Sequence, residues 1–429
     1  MKKFLALIIA LVMALSLVAC GEQKQPETPD VPDDGGDQQQ TATIKVGFIT
    51  LHDENSTYDL NFINAAKEAI ANLGLTDADY ILKTNVPEGQ ECYETAMNLV
   101  DEGCNIIFAD SFGHEPYMID AAKEHPEVQF CHSTGTRAHT EKLANYHNAF
   151  ASIYEGRYLA GVAAGLKLNE MIEAGKFTAD EAKMGYVGAF TYAEVVSGYT
   201  SFFLGARSVC PTVTMDVTFT GSWYDETLEK EGAEKLIQGG CKLISQHADS
   251  LGAPTACENA GVPNVSYNGS TKDSCPNTFI VSSRIDWAPY YEMCIKAVMD
   301  GTEIPADWTG TLATGSVVLT DVNETAAAAG TAEAIEAAKA KLEAGEIHVF
   351  DCANFTTKVD DKVNTFKADY LKLDEAGHIT SYMADVDTDA AYTGDTEVIK
   401  DGYFAESEFR SAPYFDLQID GINLLDTAM

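Results

Sequence analysis

From residue 44 onward the apolar positions switch repeatedly between two periods. Residues 44–50 form a short apolar run, the pattern of a strand buried on both faces. Residues 61–73 then place Phe62, Ala65, Ala66, Ala69 and Ile70 on one side of a helix. The alternation continues with a strand at 80–86, a helix at 90–102 stopped by Gly103, a strand at 105–109, a helix at 116–124 and a strand at 128–131. A long helix is predicted over 152–174, and then the order restarts. Strands at 184–189, 213–219, 242–246 and 265–267 alternate with helices at 195–208, 226–238 and 253–260. Strand–helix alternation predicts parallel sheets covered by helices, and the restart predicts an α/β fold of two similar doubly wound lobes joined by a hinge.

The resulting organisation is an N-terminal lobe over 44–150 and a C-terminal lobe over 151–285. Segments in 286–350 complete both lobes: a helix at 290–300, a strand at 317–320, an alanine-rich helix at 326–344 and a strand at 347–350. Beyond Asp351 the chain turns polar and irregular, and 351–429 is expected to form hairpins and loops packed across the lobes through Tyr403-Phe404 and Tyr414-Phe415. Gly161-Val162-Ala163-Ala164-Gly165 has the small-xxx-small form of membrane helices. Glu155, Arg157 and Lys167 flank it too closely for a span, so close packing of a soluble helix is expected.

The first residues follow a different rule. Lys2 and Lys3 precede an apolar run from Phe4 to Ala19 broken only by Ser16, which meets Leu17-Val18-Ala19-Cys20. A basic start, a short apolar core and small residues at the cut describe a secretory signal over 1–20. The rival reading is a plain membrane anchor with an incidental cysteine, but a spanning helix needs about 20 apolar residues. Residues 21–43 are rich in Glu, Asp, Gln, Pro and Gly, which offer too little apolar area to offset the entropy of ordering, so they read as a flexible acidic tether.

Composition narrows the partners. The formal net charge of -38 repels nucleic acid and anionic lipid headgroups. Beyond Cys20 stand Cys92, Cys104, Cys131, Cys210, Cys241, Cys257, Cys275, Cys294 and Cys352, an odd number with no Cys-x-x-Cys pair. Zinc-ribbon and thioredoxin-like chemistry is therefore unsupported, and buried free thiols are expected, with one or two disulfides as the alternative.

In open parallel sheets ligands bind outside the carboxyl ends of the strands. The loops there carry Tyr58 after the first strand, Asp110 and Phe112 after the third, and His132 after the fourth. In the second half they carry Trp223, Asp249 and Asn268, with Trp287 further on. Aromatics mixed with hydrogen-bonding side chains suit a flat ligand with a polar edge. Tyr58 and Trp223 stand beside glycine or polar residues rather than in an apolar run, which favours ligand contact over packing on their own lobe. Asp249 and Asn268 fit ligand contact and also fit helix N-caps.

Other chemistry lacks its motif. No Gly-x-Gly-x-x-Gly follows the first strand, and there is no Walker A sequence or Gly-x-Ser-x-Gly elbow; His114-Glu115 lacks the second histidine of a zincin helix. Asp385, Asp387, Asp389, Asp395 and Glu397 resemble a calcium loop, but the sixth and twelfth positions hold Ala390 and Thr396, so a solvated acidic loop is expected. No cofactor and no metal is expected.

Leu17-Val18-Ala19-Cys20 resembles the lipobox of bacterial lipoproteins, in which the cysteine is lipidated. With the tether and twin lobes, the chain resembles a substrate-binding lipoprotein of an ABC importer. More narrowly it resembles the basic membrane protein family, whose characterised members bind purine nucleosides or nucleobases. The matching pieces are Lys45-Val-Gly-Phe-Ile-Thr, Tyr154-Glu-Gly-Arg-Tyr-Leu-Ala-Gly-Val-Ala-Ala-Gly165, Gly185-Tyr-Val-Gly188, Gly221-Ser-Trp-Tyr-Asp225, and the run from Lys242 through His247 and Asp249 to Tyr267-Asn268. The resemblance implies that Tyr58 stacks on the base, that Asn61 or Phe62 lines the same wall, that Trp223 supplies the other face, and that Asp249 and Asn268 meet polar edges. It departs from the family in the first loop, Glu54-Asn-Ser-Thr-Tyr58, and after the fourth strand, where His132 and Ser133 replace an aspartate.

The expected function is capture of a small solute, a purine nucleoside or nucleobase, in the cleft between the lobes without enzymatic activity. The expected partners are a permease pair and its ATPase, with the protein lipid-anchored through Cys20 on the extracytoplasmic side of the cell membrane. Two alternatives stand: a surface-anchored nucleoside hydrolase using His132, His247 and Asp249 as acid–base groups, and a sensor subunit that presents bound ligand to a receptor.

Overall fold

The computed structural model of the chain describes residues 44–360, 362–386, 394 and 396–428. The expected signal peptide, Cys20 and the tether lie outside the described residues, as do Asp387, Asp389, Ala390 and Asp395 of the acidic run. In the first lobe, β1 (Val46–Ile49), β2 (Tyr80–Lys83), β3 (Ile106–Ala109), β4 (Gln129–Ser133) and β5 (Tyr146–Ala151) alternate with α1 (Thr57–Asn72), α2 (Gln90–Asp101), α3 (Glu115–Glu124) and the short α4 (Ala138–Glu141). The chain enters the second lobe through α5 (Ile153–Glu173). There β6 (Lys183–Gly188), β7 (Thr214–Phe219), β8 (Leu243–His247), β9 (Asn264–Tyr267) and β10 (Phe279–Ile285) are linked by α6 (Ala193–Val209), α7 (Glu226–Gln238) and α8 (Gly252–Ala260).

Two further crossings finish the lobes. After β10 the chain returns to the first lobe as α9 (Ala288–Asp300), which packs on α1, and β11 (Asp307–Gly310), which pairs with β5. It then goes back as β12 (Val317–Leu319), which pairs with β10, and α10 (Thr331–Glu343), which packs on α5. The first sheet runs β11-β5-β4-β3-β1-β2 with every pair parallel. The second runs β12-β10-β9-β8-β6-β7, parallel except at β12. Both share the 2-1-3-4-5 winding of doubly wound folds, and each reverses direction beside its first strand. The architecture is the expected pair of α/β lobes with parallel sheets.

Residues 352–428 add β13 (Leu371–Leu373), β14 (Ile379–Ala384) and β15 (Thr396–Glu397) as a small antiparallel sheet. They also add a hairpin of β16 (Ile399–Lys400) with β17 (Tyr403–Phe404), and β18 (Ile422–Leu424), which pairs in parallel with β7 at the edge of the second sheet. Phe415 stacks on Phe350 at 4.4 Å and meets Phe404 edge-on at 4.8 Å. The extension holds both lobes. The Tyr154 hydroxyl donates to the Glu406 carbonyl and Arg207 pairs with Asp420 at 2.7 Å in the second lobe, while the Ser411 amide donates to Asp307 Oδ2 of β11 at 2.7 Å in the first. Burial pushes the Glu406 carboxyl up to about 8, against the pull of the Tyr414 and Phe415 amides it accepts.

Several expectations need correction. Residues 347–350 are irregular rather than a strand, because Phe350 turns into the aromatic cluster of the extension. The alanine-rich helix starts at Thr331 rather than 326: Asn323 caps a separate turn through its carbonyl, and Gly330 at φ 81° resets the chain. The strands β5 and β11 were not predicted. In β5 the buried His147 and Asn148 are hydrogen-bonded rather than apolar, His147 to Gln129 and Pro305 and Asn148 to the Ala138 amide, so no hydrophobic run marks the strand. Among the described residues nine cysteines are free and buried, as the odd count suggested.

The small residues of α5 act between helices. A methyl on Gly161 would collide with the Phe202 carbonyl of α6, and one on Gly205 would collide with the Tyr158 carbonyl of α5. Neither obstacle is a flexible side-chain tip, so a Cβ forces the helices apart. Gly205→Ala is expected to lower stability by about 1–3 kcal/mol. The check is the midpoint of urea unfolding, which should fall well below that of Ser208→Ala on the same helix.

Candidate functional site

The cleft is built where the carboxyl ends of the two sheets meet. Its first-lobe wall holds Leu51 and His52 from the loop after β1, Tyr58 and Asp59 from the first turn of α1, Ser111 and Phe112 after β3, and Thr134 after β4. Glu194 at the start of α6, Trp223 after β7, and His247 and Asp249 at the end of β8 form the opposite wall. The empty space between these residues is about 350 Å³, including the solvent at its mouth.

The lobes are closed on each other. The Thr57 amide and hydroxyl donate across the cleft to the Asp249 carbonyl at 3.0 and 3.2 Å. The His52 ring lies 5.4 Å from Tyr224, and Phe112 lies 5.3 Å from Tyr192. Ser56 caps α1, accepting from the Asp59 amide and donating to Asp59 Oδ2 at 2.6 Å, which fixes where that helix aims its first turn. Tyr58 is oriented by a 2.7 Å hydrogen bond from its hydroxyl to the Asp110 carbonyl, and Trp223 by Phe190 edge-on at 5.0 Å.

Acceptors dominate the polar part. Burial raises the Asp249 carboxyl well above its ordinary value, and Asp59, Glu229 and Glu194 add to the rise. Asp110 is raised by burial and by Asp59. Burial acts upward on Asp59 too, but hydrogen bonds from the His52 ring and amide and from Ser56 hold it below its ordinary value. Burial lowers His247, so its ring is neutral at pH 7; its Nε2 faces Glu194 at 3.3 Å. A ligand bringing N–H or O–H donors would give these acceptors the partners that water supplies in the open cleft.

Of the predicted residues, Tyr58, Phe112, Trp223 and Asp249 come together in this cavity. Asp110 and His132 lie behind its wall: Asp110 accepts from the Leu51 amide, and His132 Nε2 donates to the Ser111 carbonyl at 2.6 Å. Asn61 and Asn268 line a neighbouring cavity with Thr57, Arg284 and Asp286. Asn61 donates to the Ile285 carbonyl at 2.5 Å, and Asn268 reaches Asp249 at 3.4 Å. Phe62 and Trp287 are stacked on each other at 4.6 Å in the core. Sequence reasoning did not single out Asp59, Thr134 or Glu194. The loop after β6 was among the carboxyl-end loops left unread, and it leads straight to Glu194.

Two facing α/β lobes with a closed, aromatic and acceptor-rich cleft define a solute-binding protein. Residues 48–351 match the model of the Bmp family, described as ABC transporter substrate-binding protein, PnrA-like. The chain belongs to this family. It is 32% identical over 271 residues to a purine-binding protein of Brucella abortus, covering 62% of this chain and 72% of that one. Over 207 residues it is 33% identical to a Haloferax volcanii protein provisionally named as the glucose-binding protein of an ABC transporter, covering 48% of this chain and 49% of the other. Among solved structures, a solute-binding protein of an ABC transporter system from Aeropyrum pernix K1 superposes with a TM-score of 0.59 at 19% identity, covering 74% of this chain and 95% of that one.

The raised Asp249 carboxyl has a consequence for ligand-free stability. Above about pH 4 the folded chain holds a proton there that the unfolded chain has released, so this group's contribution falls as pH rises. Asp249→Asn removes the dependence. The stability of the variant relative to the parent should therefore grow from pH 5 to pH 8, measured by urea unfolding without ligand. A difference that stays flat, or that shrinks with pH, would contradict the electrostatic account.

Proposed function

We propose that this chain captures a purine nucleoside or nucleobase in its closed cleft, leaves it chemically unchanged, and hands it to a membrane permease powered by a cytoplasmic ATPase. It does so held by lipid on Cys20 at the outer face of the cell membrane. The observation that carries the reading is the cleft itself: Tyr58 and Trp223 enter it from opposite lobes beside Asp59 and Asp249, which suits a flat heterocycle with donors on its edge. The purine-binding relative supports the same ligand class. Closure by a hinge would sequester the ligand and create the surface a permease recognises. Binding without reaction is supported by His132, which faces the Ser111 carbonyl behind the wall and leaves the His132–His247–Asp249 set unassembled.

Calorimetric titration and thermal shift with purine bases, nucleosides, glucose and amino acids test the ligand. A ligand at 100 times its dissociation constant adds about 2.7 kcal/mol of stability. Purines alone should shift the midpoint, and Trp223→Ala should weaken binding by about 1–3 kcal/mol, the worth of one stacking contact. A shift with glucose alone would keep the transporter class and reject the purine. The anchor has its own test: Cys20→Ser should move the protein from the membrane fraction to the soluble fraction of expressing cells, and retention in the membrane would reject lipidation at that residue.

A further inference from the structure

Two loops of the second lobe supply its wall of the cleft. The loop after β6 carries Phe190 and Tyr192 and leads into Glu194 in the first turn of α6. The loop after β7 carries Trp223. The three aromatic rings pack on one another: Phe190 stacks on Tyr192 at 5.0 Å and meets Trp223 edge-on at 5.0 Å, and Tyr192 lies 6.1 Å from Trp223. The shape of this wall therefore depends on how the two loops are held relative to each other.

Residues 425–428 hold them. β18 runs beside β7 as far as Leu424, and the Leu425 amide adds one more bond, to the Val217 carbonyl at 2.8 Å. From there a carboxylate takes over from the ladder. Asp426 Oδ1 accepts from the Phe219 amide at 2.7 Å, and Oδ2 accepts from the Thr218 hydroxyl at 2.6 Å. Both donors stand where β7 passes into the Trp223 loop, and Gly221 at φ 73° makes the turn there. Two residues on, the Thr191 amide donates to the Ala428 carbonyl at 2.7 Å, and the Ala428 amide donates to Thr191 Oγ1 at 3.0 Å. Thr191 sits between Phe190 and Tyr192. One short segment thus ties the start of one loop to the middle of the other. Lys235 adds an ion pair to Asp426 at 3.0 Å, but its side chain is 55% exposed and such a pair contributes little. The segment lies beyond the end of the family match at 351.

We propose that residues 425–428 form a clasp that positions the aromatic wall of the cleft, with Asp426 as its positioning residue. Asp426 stands outside the cleft lining and acts through Phe219 on the Trp223 loop, while Ala428 acts through Thr191 on Tyr192 and Glu194. Hydrogen bonds to a carboxylate are stronger than neutral ones, which suits Asp426 to this role. Loops ordered in advance spare a ligand the entropy of ordering them, so the clasp raises affinity without adding a contact. This inference rests on the cleft as the binding site and extends that reading to a segment outside the family match.

The test has two arms on the full chain. The first is fluorine NMR of protein carrying 5-fluorotryptophan, recorded without ligand. The chain has three tryptophans, and Trp223→Phe assigns the cleft resonance. Asp426→Ala should shift or broaden the Trp223 resonance and leave those of Trp287 and Trp308 in place. The second arm is calorimetric titration with adenosine and hypoxanthine. Asp426→Ala should weaken binding about three- to tenfold, the scale of one hydrogen bond. Asp426→Asn keeps an oxygen for the Phe219 amide and should restore both readings. Lys235→Met should change neither. Truncation after Leu424, which retains β18, should exceed Asp426→Ala in both. A lower unfolding midpoint for Asp426→Ala with the Trp223 resonance and the affinity unchanged would reduce the segment to a structural seal and overturn the clasp. If the parent chain binds no purine, the ligand reading falls, and the fluorine spectra decide the clasp by themselves.

Discussion

The site depends on one constraint, the parallel alignment of the strands within each sheet. Parallel strands send all their carboxyl ends to one edge, so the loops that follow them gather there whatever their sequence. Three chain crossings, after β5, β10 and β11, then set the two loop-bearing edges against each other. Tyr58 and Trp223 are distant in sequence and meet only because of this. Both lobes are needed to line the cavity, the first through Tyr58 and the second through Trp223.

Closure brings an electrostatic cost that the ligand would offset. Asp59, Glu194 and Asp249 converge from both lobes into a space with little room for water. Buried carboxylates without donors are expensive, and each raises the energy of the others. The network of His52 and Ser56 around Asp59 satisfies one of them within the first lobe. Among the described residues the Asp249 carboxyl has only Asn268, at 3.4 Å, although its own carbonyl receives the Thr57 amide that joins the lobes. The residue that latches the cleft is thus also among those least satisfied by it. A donor-bearing solute favours the closed form by completing that set of hydrogen bonds, which is how binding and closure become one equilibrium.

Much of this was legible in the chain because the fold is written in apolar periodicity. Helix α7 was predicted with its exact bounds, and the other long helices of the lobes lay within a few residues of theirs, while the short α4 was not predicted. The missed strands share a cause. All of β5, Tyr-His-Asn-Ala-Phe-Ala, is buried, but His147 and Asn148 interrupt its apolar pattern, and β11 is Asp-Trp-Thr-Gly, so neither carries a long apolar run. Their stability comes from hydrogen bonds to neighbours far away in sequence, which no local window contains. The site divided the same way. Tyr58, Phe112, Trp223 and Asp249 could be found from their place after a strand. Phe62 was implied by the family resemblance and Trp287 by its place after a strand, but the two stack on each other in the core. Thr134 also stands directly after a strand, but nothing in its residue type set it apart from its neighbours in that loop.

The edge strand β18 carries a consequence for the order of events during synthesis. The first sheet lacks its outer strand until residue 310 has been made, and the second lacks β18 until residue 424. Every nascent chain that ends between β7 and β18 exposes the free edge of β7, a template on which another incomplete chain could pair. The tail therefore acts late as a seal: its arrival ends a period of vulnerability that lasts from the synthesis of Phe219 to that of Leu424.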